Sequence, residues 1–110
     1  MKQEKWWVET LEKVEEWCSK NGYHKTDNGD FWKYYEGTSL FELNIMRNLT
    51  DVGGDFCYKV YSAVSYFNED SLKKLINAME VAKADFIKML NDCNIDNHNN
   101  QQIDLLENLY

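Results

Sequence analysis

Residues 30–67 read DFWKYYEGTSLFELNIMRNLTDVGGDFCYKVYSAVSYF, and the fold turns on how this stretch divides. Three apolar runs stand in it: Phe31 to Glu36, Leu40 to Asn48 and Phe56 to Phe67. Each is rich in aromatic or branched side chains and bounded by turn formers, the pattern of β-strands. Glu36-Gly37-Thr38-Ser39 separates the first two runs, and a loop from Leu49 to Gly54 separates the last two. Connections this short cannot make a parallel crossover, so the strands are expected to form an antiparallel meander.

Alternation assigns the faces. In the first run Phe31, Lys33 and Tyr35 share one side, and Trp32 and Tyr34 the other. In the second, Phe41, Leu43 and Ile45 point inward and Glu42 and Asn44 outward. In the third, Phe56, Tyr58, Val60, Val64 and Tyr66 oppose Cys57, Lys59, Tyr61, Ala63 and Ser65. A strand that is aromatic on both sides is either covered twice, or covered once and used for binding on its other side. Either face of this sheet could be the covered one.

Upstream, Tyr23 to Thr26 reads as a short first strand, joined to the next by Asp27-Asn28-Gly29-Asp30. Asn-Gly between strand-like runs is a strong hairpin signal. The acids in this turn lack the glycine and distal glutamate of an EF-hand loop, so calcium binding is not indicated.

Before the sheet, residues 3–20 carry Trp7, Leu11, Val14 and Cys18 on one stripe, the spacing of an amphipathic helix that stops at Asn21-Gly22. Glu9, Glu12 and Glu16 lie on its opposite face, and Trp6 and Trp17 flank the stripe about 90° from its centre. After the sheet, Asn68 is placed as an N-cap for a helix running to about Asp92. Its apolar face is read as Leu72, Leu75, Ile76, Met79, Ala82, Phe86 and Leu90. Residues 94–100 form a polar loop, and Gln101 to Tyr110 a short terminal helix with Ile103, Leu106 and Tyr110 on one side. The expected architecture is one two-layer α+β domain over residues 1–110: N-terminal helix, four-stranded antiparallel meander, long C-terminal helix and short terminal helix.

Composition narrows the function. The 110 residues carry nineteen acids against twelve bases, a formal charge of −7, and no proline. Direct nucleic-acid binding calls for a basic face, and none is visible. Three cysteines without paired spacing suggest a reducing compartment and no disulfide framework. The N-terminus lacks an apolar signal core and no run approaches membrane-spanning length, so a cytoplasmic setting without membrane contact is expected.

His24 and His98 stand apart from any second ligand type, and no nucleophile has a base at a recognisable spacing. Gly53-Gly54 lacks the lysine of a phosphate loop. No cofactor, metal or catalytic residue is therefore assigned, and the chain is read as a non-enzyme. What remains is an acidic surface beside exposed aromatics. These suit a small module that binds a protein with a basic surface and inhibits it, of the phage anti-defence or bacterial immunity-protein type, with a nucleic-acid-handling protein as one such target. The candidate contacts are Trp6, Glu9, Glu12, Glu16 and Trp17 on the first helix, then Trp32, Tyr34 and Tyr61 on the sheet. Two other readings stand beside this one: a homodimeric chaperone or adaptor, and a small enzyme or ligand carrier with an aromatic pocket between sheet and helices.

Overall fold

The computed structural model describes residues 5–49 and 54–95. Helix α1 spans Lys5–Lys20, followed by β1 (His24–Lys25), β2 (Phe31–Tyr34), a 3-10 turn (Tyr35–Gly37), β3 (Phe41–Leu49), β4 (Gly54–Ser62) and helix α2 (Glu69–Asp92). The strands pair antiparallel in the order β1-β2-β3-β4. The chain is thus the expected α+β meander between two helices. The terminal helix read over residues 101–110 lies outside the described residues.

Local chemistry sets the boundaries. Helix α1 ends in a Schellman motif: the Tyr23 amide donates to the Cys18 carbonyl at 2.9 Å, and Gly22 takes a left-handed φ of 83°. Helix α2 ends the same way, with the Ile95 amide donating to Leu90 at 3.0 Å and Asn94 in the left-handed position. Its N-terminus carries a capping box, in which Asn68 Oδ1 accepts from the Ser71 amide and Ser71 Oγ accepts from the Asn68 amide, both at 2.9 Å. In the β1–β2 hairpin the Gly29 amide donates to Thr26, with Gly29 at φ 84°. A side chain at Gly29 would also collide with the Arg47 guanidinium, which donates to the Asn28 carbonyl from β3. Only glycine meets both demands.

Two strands are shorter than their apolar runs. Strand β2 stops at Tyr34 because Glu36 and Gly37 both turn to positive φ, at 53° and 71°. Strand β4 stops at Ser62, whose hydroxyl accepts from the Val64 amide and ends the ladder. Tyr66, which alternation puts on the side of Phe56 and Tyr58, lies past the end of the strand and is 93% exposed.

Both helices pack on the sheet face that carries Phe31, Phe41, Leu43, Ile45 and Phe56. Trp7 of α1 meets Phe56 at 5.2 Å between ring centroids, and Phe86 of α2 meets Tyr58 at 5.2 Å. Buried side chains fill the space between sheet and helices.

Helix α2 is rotated from its expected orientation. Ala78, Ala82, Phe86, Met89 and Leu90 are its buried residues, whereas Leu72, Ile76 and Met79 are about half exposed. The small Ala78–Ala82 edge lets the helix lie close to the sheet. Helix α1 reaches the flank of α2 at its C-terminal end, where Trp17 Nε1 donates to Asp92 Oδ2 at 2.8 Å. Among the described residues no helix is long and apolar enough to cross a membrane.

Candidate functional site

The face of the sheet away from the helices holds a run of partly exposed aromatic side chains. Register builds it in rows across the strands. Tyr34, Glu42 and Tyr61 stand side by side on β2, β3 and β4. The next row is Trp32, Asn44 and Lys59, with His24 of β1 beside Trp32. Met46 and Cys57 follow. Side chains alternate across a strand, so members of these rows share one face.

The rings form a connected edge. His24 lies 4.9 Å from Trp32, and Trp32 meets Tyr34 edge-on at 5.1 Å. Tyr34 and Tyr61 are 43% and 42% exposed. Strand spacing sets them about 10 Å apart with Glu42 between them. No ion pair reaches the Glu42 carboxylate among the described residues. Lys59 Nζ sits 4.7 Å over the Tyr61 ring, so this ring already holds a cation on one side. Chemically, the row offers two aromatic walls and a negative floor, which suits an arginine or lysine side chain. Beside it Asn44 is 8% exposed, flanked by Trp32 and Lys59.

The first-helix candidates fare differently. Glu9, Glu12 and Glu16 are exposed on α1, but Glu9 lies 3.8 Å from Lys5 and Glu16 2.9 Å from Lys20. Lys20 holds the Glu16 carboxyl below its ordinary value. Glu15 pairs with Lys25 at 3.2 Å. Much of the helix's acidity is answered within the chain. Trp6 is exposed, at 53%. Trp17 is not: it is 8% exposed, faces Tyr23 at 6.3 Å and gives its N–H to Asp92. Trp6 and Trp17, which helical angle sets together beside the apolar stripe, thus part company: α2 packs over Trp17, and Trp6 stays exposed.

Compared with known proteins, the chain matches no family model, no curated protein and no solved structure. The site must be read from its own residues.

The remaining reactive groups are quiet. Among the described residues no three His, Cys, Asp or Glu side chains gather as metal ligands. A cleft of about 210 Å³ between the C-terminal ends of α1 and α2 is lined by Lys13, Glu16, Trp17, Lys20, Asp92 and Cys93. Burial, with Cys93 and Asp85 adding, pushes the Cys18 thiol up to about 12. Burial also raises Cys57, Cys93 and the Tyr23 phenol. None of these thiols is poised as a nucleophile at neutral pH.

These raised values make stability fall in alkali. The unfolded chain releases the Cys18 proton near its ordinary 9.0 and the Tyr23 proton near 10.0, while the folded chain holds both. Their contribution is full below about pH 9 and is lost as pH climbs toward the folded values, at up to about 1.4 kcal/mol per pH unit for each group. Thermal melts between about pH 8 and pH 11 should show a steady drop in Tm. Cys18→Ala should make that drop shallower, and an unchanged slope would remove Cys18 from the account.

Sequence alternation had placed Trp32 with Tyr34, and Lys59 with Tyr61 and Cys57, on common faces. Glu42, the floor of the row, and His24, Asn44 and Met46, its neighbours, were missed as site residues. The signal for them was the register, which depends on where each turn closes.

Proposed function

We propose that this chain is a protein-binding module whose contact surface is the open sheet face, and that it acts by occupying a basic segment of a larger protein. The row Tyr34–Glu42–Tyr61 carries the reading: two half-exposed rings flank a carboxylate that no cation of the described residues pairs. An arginine or lysine from a partner would gain ring contacts on both sides and a charge partner beneath, the grouping found at interface hot spots. Trp32 and His24 extend the apolar contact next to it. The net charge of −7 favours encounter with a basic partner. A module that covers such a patch on a nucleic-acid-handling protein inhibits it by competing for the basic surface, the role that small size and quiet chemistry suit.

The test compares capture by the full chain and by surface variants that leave the core intact. Wild type should retain one stoichiometric partner, with retention weakening as salt rises. Glu42→Lys and the double variant Tyr34→Ala/Tyr61→Ala should each weaken it by roughly a hundredfold, the scale of a lost hot spot. Reversing Glu9, Glu12 and Glu16 to lysine should cost far less. If the helix reversal abolishes capture and the sheet variants retain it, the sheet face is the wrong surface. If circular dichroism shows any variant unfolded, the conservative pair Tyr34→Phe and Glu42→Gln decides between ring and carboxylate.

A further inference from the structure

The N-terminal half of α2 presents a second, separate surface. Leu72, Ile76 and Met79 are 47%, 47% and 52% exposed and recur at spacings of four and three, one narrow stripe of the helix. By angle this stripe shares the line of Leu90, which is buried. The same line of the helix is thus buried near its C-terminal end and half exposed nearer its N-terminal end.

We infer that the bare flank of α2 binds a second copy of this chain, with the two α2 helices antiparallel about a two-fold axis. Self-complementarity argues for it. The stripe has the spacing of a coiled-coil seam, and the edge facing away from the sheet carries Lys73 and, seven residues on, Glu80. The other edge carries Leu75 and Ala82, which pack on the chain's own core. When two such seams meet antiparallel, Ile76 lies against the partner's Met79, and Lys73 falls beside the partner's Glu80. Symmetry makes each contact twice. A parallel pair gains no such charge match, since its cross-seam neighbours would be Leu75 and Ala82. Lys73 already pairs with Glu69 at 3.3 Å, but both side chains are largely exposed, so that pair is readily exchanged. The area in play is small for a homodimer, so association is reversible and concentration-dependent.

Sedimentation equilibrium of the full chain over a concentration series tests the inference. Wild type should show a monomer–dimer equilibrium. Glu80→Lys alone and Lys73→Glu alone should each weaken it roughly tenfold, because two attractive pairs become repulsive. The double variant Lys73→Glu/Glu80→Lys should restore association to near wild type. Ile76→Glu should give a monomer with native circular dichroism. A monomer at every concentration overturns the inference. A dimer indifferent to either charge reversal, or one the double variant fails to restore, uses another surface and overturns it equally.

Discussion

Trp7→Ala should cost about 4 kcal/mol, enough to leave a domain of this size largely unfolded or close to it. Trp7 is 1% exposed and joins α1 to the end of the β3–β4 ladder, against Phe56. Its ring also lies 3.0 Å from where a side chain on Gly54 would begin, so glycine there lets the indole reach the strand. Removing the indole takes away the transfer energy of a large side chain and leaves a cavity beside Phe56 and Gly54. The expected fall in Tm is roughly 20 °C. Trp6, the neighbouring residue, is the internal control: it is 53% exposed, and Trp6→Ala should cost under about 1 kcal/mol. Denaturant titrations followed by far-ultraviolet circular dichroism compare the two without relying on tryptophan emission. Equal losses would show that Trp7 does not hold the layers together.

The second large effect lies at Asp85. Lys33 stands on the inner face of β2, where a charge is costly, and Asp85 of α2 answers it at 3.3 Å. The same carboxylate oxygen accepts the Tyr23 hydroxyl at 2.8 Å. Lys33 Nζ also lies 4.6 Å from the Tyr23 ring centroid and donates to the Asn21 carbonyl at 3.2 Å. Asp85→Ala strands a half-buried ammonium and a buried phenol together, at about 2–3 kcal/mol, less than a fully buried pair would cost. Replacing both ions at once, Lys33→Met with Asp85→Leu, should cost under about 1 kcal/mol, since apolar groups of similar volume then fill the site. Urea midpoints of the two variants, set against wild type, read the difference. If the double variant is as unstable as Asp85→Ala, the loss reflects packing and the ion pair contributes little.

These two sites also show where local pattern stops. Trp7 on the stripe and Trp6 beside it were both legible from helical spacing, and the structure buries one and exposes the other. The identical geometric argument placed Trp17 at the rim with Trp6, yet Trp17 is buried, because the C-terminal end of α2 packs over it from 75 residues away. Helix angle ranks side chains around one axis. It carries no information about how far along that axis a neighbour extends. Leu72, Ile76 and Met79 show the same limit: they share the angle of Leu90, yet Leu90 is buried and they are about half exposed.

The amino-acid sequence alone determined both helices and their stops, the hairpin at Asn28-Gly29, the antiparallel meander and the alternation that puts Trp32 with Tyr34. Each depends on interactions between residues near in the chain: capping, left-handed glycines, short loops and periods of 3.6 or 2. Tertiary structure decided the rest. It chose which of two aromatic sheet faces the helices cover, rotated α2 onto its alanine edge, paired Lys33 with Asp85, and set the register that brings Tyr34 and Tyr61 to either side of Glu42. Period tells a strand which side chains go together, but which side is buried follows from the fit of distant surfaces, where a few kcal/mol of packing separates the alternatives.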